Sequence, residues 1–240
     1  MNLFLEDVIV PPESRFNGFN RKTFKFFKDL EENNKREWFE ENRVIFEKNV
    51  MEPAQEYVME MGERLKSISP RIVAIPKTDK SIFRIYRDVR FSKDKTPYKT
   101  HLGIFFWEGP RKKLGNPGYY LQLDKSSILI AGGLYTLPND LLKPYRDAVS
   151  DSQKGAEIAK ILKKVTKNTS YKLGGTHYKR VPKGYDPGHA NLDLLLHNGL
   201  YVYYEGPIPK EVYSSDFLDY SFGIFKDMLP LHNWLRDNIK

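Results

Sequence analysis

The hydrophobic residues in the first third of the chain recur with the period of an α-helix. Asn20 is suited to cap a helix whose apolar face contains Phe24, Phe27 and Leu30. Pro53 fits the first turn of a further helix, where its missing N–H group costs nothing. The region is therefore predicted to be helical. The clearest amphipathic stripe is formed by Ala54, Tyr57, Val58, Met61, Leu65 and Ile68.

The middle of the chain changes to the short β-branched or aromatic runs that are typical of strands. Four such runs cover residues 81–90, 101–108, 119–124 and 128–135, and turn-rich pieces such as GPRKKLGNPG separate them. This spacing predicts an antiparallel meander.

Two helical stretches follow the meander, and in the first of them Pro144 predicts a kink or a late start. Residues 171–181 and 200–204 are then predicted to be returning strands. A final helix is predicted from about Ser215, with an interruption at Pro230.

Helices and strands occur in blocks without strict β–α–β alternation, which favours an α+β fold over a doubly wound parallel sheet. We therefore predict a mainly antiparallel sheet flanked by an N-terminal helical region, a mid-chain helical pair and a C-terminal helix. No repeat, low-complexity segment or linker interrupts the chain. A single domain over residues 1–240 is the expectation.

The composition narrows the location and the chemistry. The chain has no cysteine, which excludes disulfides, thiolate nucleophiles and cysteine metal ligands and fits a reducing compartment. The N-terminus is acidic at Glu6 and Asp7 and does not resemble a signal peptide. No apolar run approaches the roughly 20 residues that are needed to cross a bilayer. We expect a cytoplasmic protein without a membrane partner.

The net charge of +8 is unevenly distributed. Residues 71–113 contain twelve lysines and arginines against four acidic residues, and residues 163–183 contain seven basic residues and no acidic one. Such asymmetry predicts a positive surface that attracts phosphates, carboxylates or nucleic acid. The alternative is two solvated, lysine-rich surfaces that only keep the protein in solution.

Residues 84–99 are the most informative segment for function. If residues 81–90 form a strand, Phe83, Ile85 and Val89 point to the core, and Arg87 on the same side must reach a partner or the sheet edge. Lysines 93, 95 and 99 come just after in a turn-like stretch. The other face of the strand would then be polar or amphipathic, with Arg84, Tyr86, Asp88 and Arg90.

Arginine offers a planar fork of donors that grips a phosphate or a carboxylate in two places. Asp88 would brace the arginines or act as a base, although arginine neighbours lower a carboxylate pKa and weaken it as a base. The structural alternative is a salt-bridge network that only holds the sheet together. The predicted ligand-binding set is Arg84, Tyr86, Arg87, Arg90, Lys95, Tyr98, Lys99 and, from a later loop, Lys183.

The same segment matches the pattern R-x-x-R-D-x-R-F-x-x-D-K-x-P-Y at all nine specified positions, from Arg84 to Tyr98. In this it resembles an uncharacterised, mainly bacterial family that is catalogued as domain of unknown function 2461. Residues 30–43 (LEENNKREWFEENR) and 179–189 (KRVPKGYDPGH) also look like family features. The resemblance covers nearly the full chain. It implies a cytosolic protein of about this size and supplies neither an activity nor a ligand.

The segment 177–189 is a second candidate site. Lys179, Arg180 and Lys183 would extend the positive surface if this loop lies beside the arginines, and His189 would serve as an acid or a base. The alternative is an ordinary surface loop.

Motifs for common cofactors and nucleophiles are absent from the sequence. Histidines 101, 177, 189, 197 and 232 do not form HExxH, and Asp186, His189 and Asp193 are only loosely spaced, so no metal site is predicted. Neither G-x-S-x-G, a Walker A loop nor G-x-G-x-x-G occurs. The sequence therefore does not identify a cofactor.

Three functional hypotheses remain from the sequence. The first is a protein, in one version an enzyme, that binds a small phosphorylated or carboxylated ligand through the arginines, which should then converge in a concave pocket. The second is a nucleic-acid-binding module with a broad positive surface and salt-sensitive binding. The third is a structural or partner-binding protein in which each arginine is paired internally.

Overall fold

The computed structural model describes residues 15–240. The acidic N-terminus with Glu6 and Asp7 lies outside these residues. The helical region before the sheet consists of α1 (Arg21–Glu32), α2 (Arg36–Glu41), α3 (Arg43–Phe46), a π-helical turn (Glu47–Met51) and α4 (Glu52–Lys66). The later elements are β1 (Leu102–Trp107), β2 (Gly118–Leu123), β3 (Ser127–Leu134), α5 (Asn139–Ser150), α6 (Ser152–Val165), β4 (Tyr171–Thr176), α7 (Leu192–Leu195), β5 (His197–Pro207) and α8 (Asp216–Asn238).

The beginnings of the first helices follow the sequence prediction. The Asn20 side chain accepts hydrogen bonds from the backbone N–H groups of Lys22 (2.8 Å) and Thr23 (3.1 Å), so it caps α1. Pro53 lies in the first turn of α4, where no backbone hydrogen bond is lost. Both local predictions are confirmed.

The strands form an antiparallel sheet with the order β1–β2–β3–β5–β4. The predicted α+β class with a mainly antiparallel sheet is confirmed. Ile104 lies opposite Leu121, Leu121 opposite Ile130, and Ile130 opposite Tyr204, which sets the register across four strands. Because alternate side chains of a strand point to opposite faces, this register defines one apolar face. That face packs against the helices.

The helix α8 is central to the core. It contacts β3, α4, α5 and α6 and lies between two clusters of buried apolar side chains. The first cluster joins the sheet to the N-terminal helices, and the second joins it to the pair α5–α6. Tyr204 and Ile224 pack against both clusters, which links them. Of the helices formed by residues 15–240, none combines the length and the apolar character that crossing a membrane requires.

The predicted interruption at Pro230 is wrong, because α8 continues through it. Pro230 removes one backbone hydrogen bond, but Met228, Leu231 and Trp234 around it are buried, and their burial offsets that loss. Similarly, α5 begins at Asn139 and runs through Pro144, so the proline does not delay the start of the helix.

The predicted strand at 81–90 is also corrected. Ser81 and Phe83 exchange backbone hydrogen bonds with Phe105 (2.8 Å) and Gly103 (2.9 Å) of β1, and Ile82 forms an isolated bridge. The chain then folds back on itself through a bridge between Tyr86 and Tyr98. The pairing partner changes within a few residues, so a continuous ladder does not form. We call residues 84–99 the arginine loop.

Glu108, directly after β1, is a buried carboxylate that joins the sheet to α8. Its side chain is only 2% exposed. It accepts hydrogen bonds from His232 Nε2 (2.9 Å), from Arg236 (3.4 Å) and, on its other oxygen, from Arg71 (3.4 Å). The His232 ring stacks on Tyr119 with a centroid separation of 4.7 Å. This cluster lies on the helix-covered face and connects elements that are distant in sequence.

Candidate functional site

The second face of the sheet contains a cavity of about 590 Å³. The register places Phe105 opposite Tyr120, Tyr120 opposite Ala131, and Ala131 opposite Tyr203, so one row of side chains crosses four strands. The cavity walls are largely aromatic. They include Phe83, Phe105, Tyr120, Tyr135, Tyr201 and Tyr203, together with the polar residues Lys99, His101, Gln122 and Glu205.

Glycines in the strands leave room for these rings. A Cβ atom at Gly118 would lie 2.6 Å from Cζ of Phe105, which is too close for unaltered packing. A Cβ atom at Gly103 would lie 3.0 Å from the hydroxyl oxygen of Tyr120. These glycines therefore allow the aromatic rings of the cavity walls to approach the backbone, and they shape the floor of the cavity.

Two ammonium groups lie over one aromatic ring at the β1 side of the cavity. Nζ of Lys113 is 3.5 Å from the centroid of the Phe83 ring, and Nζ of Lys99 is 5.6 Å from the same centroid. Lys99 also donates a hydrogen bond to the backbone oxygen of Arg84 (2.8 Å). Within residues 15–240, neither lysine forms an ion pair with a carboxylate. Lys99 and His101 line the cavity, and Lys113 lies beside it against the Phe83 ring. We call these three residues the cationic end of the cavity.

Burial and mutual repulsion hold the pKa values of these groups down. Burial lowers the pKa of Lys113 to about 8; Asp79 acts in the opposite direction, and the charge of Lys99 adds to the lowering. Burial and the charge of Arg84 lower the pKa of Lys99. Burial, with the charge of Lys99, also lowers the pKa of His101. A bound anion would relieve this repulsion, so the cationic end is suited to negative charge.

The opposite side of the cavity is different in character. Glu205 of β5 lies across β2 and β3 from the cationic end and is 4.0 Å from Lys172. The Tyr120 hydroxyl donates a hydrogen bond to Oε1 of Gln122 (2.9 Å). The cavity thus offers cations at one side, aromatic rings in the centre, and hydrogen-bonding groups farther along.

The arginines of the arginine loop do not converge on a pocket. Arg87, which is predicted to need a partner because it lies on the core side, pairs with Asp94 and with Thr96. Arg90 makes two hydrogen bonds to Asp88, of 2.9 and 2.7 Å. These bonds lower the pKa of Asp88 to about 2, which makes it a poor base. Both arginines are used within the loop.

Arg84 is exposed and forms no hydrogen bond or ion pair through its side chain among the described residues. Lys95 donates a hydrogen bond to the backbone oxygen of Val89 (2.9 Å) and so braces the loop. Of the predicted ligand-binding residues in this loop, Lys99 alone lines the cavity. The backbone oxygen of Arg84 accepts a hydrogen bond from Lys99 and so helps to position it.

Tyr98 belongs to the core rather than to an open site. It is 2% exposed, and its ring stacks on Phe39 with a centroid separation of 4.3 Å. Tyr86 is 44% exposed and packs on Tyr98 at 5.2 Å. The side chain of Asn34 then exchanges two hydrogen bonds of 3.0 Å with the backbone N–H and C=O groups of Tyr98. Asn34 thus pairs with the loop as a neighbouring strand would.

We expect Asn34→Ala to lower the free energy of unfolding by about 1–3 kcal/mol, because it leaves two backbone groups of Tyr98 without partners. Hydrogen exchange of the Tyr98 amide should accelerate more than exchange in β2 and β3. Asn33→Ala is the matched control, since the Asn33 side chain is exposed and, among the described residues, donates a hydrogen bond only to Asp29 of its own helix end. Equal effects of the two substitutions would contradict this role for Asn34.

The segment 177–189 lies at the other edge of the sheet. It follows β4, whereas the arginine loop adjoins β1, so Lys183 and the arginines are not brought together. The Tyr185 hydroxyl donates to Asp147 of α5 (2.8 Å). His189 Nδ1 accepts from the backbone N–H of Asn191 (3.0 Å). The two basic segments therefore form separate surfaces.

Asp186, His189 and Asp193 are the loosely spaced metal candidates in the sequence. Asp186 accepts a hydrogen bond from the backbone N–H of Gly188 (2.8 Å). In the part of the chain that the structure describes, no three acidic or histidine side chains are placed to share a metal ion.

Most residues of the cavity could not be predicted from the sequence. Phe83 and Lys113 lie in segments without a continuous ladder, and His101 precedes β1. A pattern that could have indicated the cavity is the alternation of β5, where Tyr201 and Tyr203 flank the buried Val202. Aromatic residues at the positions of a strand where polar residues are usual indicate a face that contacts something other than water.

Comparison with known proteins places the chain in a family. Among curated proteins, none matches the sequence. The model of the family described as "Conserved hypothetical protein (DUF2461)" matches residues 22–234, a span that includes the arginine loop, the sheet and most of α8. The chain therefore belongs to this family, domain of unknown function 2461.

Proposed function

We propose that this protein binds a small ligand that has a phosphate or carboxylate group and a planar body, in the cavity on the open face of the sheet. One observation carries the proposal: Lys99 and Lys113 both lie over Phe83 without a carboxylate partner among the described residues. Two partly buried like charges repel each other, and an anion between them removes that cost. The proposal assumes a cytoplasmic protein, as the composition favours.

The size and lining of the cavity support a small ligand. A volume of about 590 Å³ lies within the range of typical ligand sites, roughly 300–1,000 Å³. Phe105, Tyr120 and Tyr203 provide flat apolar surfaces for a ring or another planar group. The proposed pose places the anionic group at Lys99 and His101 and the planar body over the tyrosines.

The arginine loop has a supporting role in this proposal. Arg87 and Arg90 hold the loop in shape through their acidic partners, as a scaffold would. Arg84 accepts the hydrogen bond from Lys99 with its backbone oxygen, and its charge adds to the positive potential at the cationic end. The arginine loop thus positions Lys99. In this proposal the anion is bound by the lysine pair Lys99 and Lys113 rather than directly by the arginines.

The proposal is tested by calorimetric titration of the protein with phosphorylated and carboxylated aromatic compounds at two salt concentrations. For the best ligand, Lys99→Ala should weaken binding by roughly 10–100-fold, because it removes a partly desolvated charge that contacts the anion. The control is Lys93→Ala, an exposed lysine of the same loop that does not line the cavity.

Equal weakening by Lys93→Ala, or no binding of either ligand class, would contradict the proposal. Oligonucleotide binding alone, with steep loss at higher salt, would favour the nucleic-acid hypothesis instead. Turnover of a bound compound would identify the protein as an enzyme.

A further inference from the structure

We propose that Lys113 is a nucleophile that forms an imine with an aldehyde or ketone carrying the anionic group. The substrate class of the cavity would then be carbonyl compounds that carry a phosphate or a carboxylate. This inference rests on the proposed function, because it places the ligand in the same cavity and assigns a chemical role to the second lysine.

The position of Lys113 supports this role. It begins a single 3-10 turn, Lys113–Gly115, between β1 and β2, and the next residue, Leu114, lines the cavity. Its Nζ atom lies 3.5 Å from the centroid of Phe83, an apolar wall of the same cavity. The amine therefore lies against apolar surface beside the space in which a ligand would bind.

Burial, with the charge of Lys99, lowers the pKa of Lys113 and keeps part of this amine neutral. Lys99 shares the Phe83 ring and repels a charge on Lys113, and Arg84 adds positive charge next to Lys99. Asp79 is the acidic group that opposes this effect. Of the basic neighbours along the chain, Arg111 is paired with Asp140 (2.6 Å), and Lys112 is exposed. An apolar pocket next to a second cation is the environment in which lysines act as nucleophiles.

A pKa of about 8 leaves about one tenth of the Lys113 amines neutral at pH 7. An unperturbed lysine has on the order of one neutral amine in a few thousand at that pH. The free lone pair is what attacks a carbonyl carbon, so the larger neutral fraction favours attack by Lys113 at pH 7.

The proposed step balances without an oxidant or a reductant. The neutral Nζ atom attacks the carbonyl carbon, and a C–N bond forms as the C=O π electrons move to oxygen. One proton of the nitrogen moves to that oxygen, which gives a carbinolamine. Loss of the second nitrogen proton together with the hydroxyl group releases water and leaves the C=N bond. The anionic group stays at Lys99 and His101 and holds the carbonyl carbon near Lys113.

Pyridoxal 5′-phosphate is a suitable probe, because it combines an aldehyde, a phosphate and a planar ring. The full-length protein is incubated with the probe at a series of pH values and reduced with borohydride, which converts the imine to a stable secondary amine. Peptide mass mapping then locates the label. We expect labelling of Lys113 at least about tenfold faster than labelling of the exposed neighbour Lys112, with a midpoint near pH 8.

Two variants test the assignment. Lys113→Arg keeps the positive charge and should lose the fast label, whereas Lys112→Arg should keep it. Both should melt close to the wild-type temperature, since arginine keeps a cation over Phe83 at position 113 and neither lysine side chain forms a hydrogen bond or ion pair among residues 15–240. Label spread evenly over many lysines, fast label retained in Lys113→Arg, or fast label on Lys99 would each overturn the inference.

Pyridoxine 5′-phosphate, which has the phosphate and the ring but no aldehyde, separates this inference from the proposed function. If it binds in the cavity and pyridoxal 5′-phosphate does not label Lys113, the imine fails and the anion site stands. If a panel of phosphorylated and carboxylated aromatic compounds shows no binding and Lys113 is not labelled, both fail.

Discussion

Replacing Glu108 with glutamine is expected to lower the free energy of unfolding by about 3–5 kcal/mol. The substitution keeps the shape of the side chain but removes the negative charge at the end of β1. His232, Arg236 and Arg71 then lose a charged acceptor that is only 2% exposed in the wild type. Glutamine keeps one acceptor oxygen but replaces the other with an N–H donor, and the loss of the charge paired with the buried His232 carries most of this cost.

Urea unfolding of the variant and the wild type measures the effect, and the melting temperature should fall by about 6–20 °C for a chain of this size. The matched control is Glu31→Gln, which removes an exposed carboxylate paired with Lys125 and should cost less than about 1 kcal/mol. Similar small effects of both variants would contradict the structural importance of the buried cluster.

The interactions of Glu108 should also make the stability of the protein depend on pH. The hydrogen bond from His232, aided by the charges of His232 and Arg236, lowers the pKa of Glu108 to about 2 despite burial, which acts in the opposite direction. A carboxylate with a lowered folded-state pKa stabilises the protein above its unfolded value of about 4.5, and this stabilisation is lost as the pH falls toward 2. The stability difference between wild type and Glu108→Gln should therefore shrink between about pH 4.5 and pH 2.

Gly133→Ala is expected to destabilise the protein by about 3–5 kcal/mol. Gly133 has a φ of +133°, a backbone conformation that residues with a Cβ atom rarely adopt. The added Cβ atom would lie 2.6 Å from Cα of Tyr201 on the neighbouring strand β5. The methyl group can be accommodated only by moving β3 and β5 apart, which breaks the pairing in the centre of the sheet.

Gly223→Ala in α8 is the matched control for this prediction. A Cβ atom there meets nothing within 4 Å, and alanine favours a helix, so the variant should gain about 0.5–1 kcal/mol. Chemical denaturation of the two variants should give changes of opposite sign. A Gly133→Ala protein as stable as the wild type would show that the sheet tolerates a shift between β3 and β5.

The elements that could be predicted from sequence are those fixed by local chemistry. The helix cap at Asn20 and the apolar stripe after Pro53 depend on neighbours a few residues away, and both are found. The alternating runs of the meander also became strands β1, β2 and β3. The α+β class followed, because it depends only on the order of such elements.

The predictions that failed depend on contacts between distant segments. Residues 81–90 have the alternation of a strand, but only the first part of them meets β1, and the rest pairs within the arginine loop. Pro230 is accommodated because α8 is buried by the sheet and the helical pair. The cavity is lined by rings from β1, β2 and β5, and Lys113 of the β1–β2 connection lies beside it against Phe83. No single stretch of sequence contains these residues.

The two edges of the sheet determine whether copies of the chain can pair with one another strand to strand. At one edge, Val73 and Ile82 already pair with β1, and the arginine loop continues from that point. At the other edge, the pairing of β4 with β5 shifts register between Gly174 and Thr176, and β4 carries the exposed Lys172. A flat, unpaired edge is what recruits strands from a second molecule during aggregation. With one edge covered and the other irregular and charged, the folded chain offers no flat template for edge-to-edge growth among its described strands.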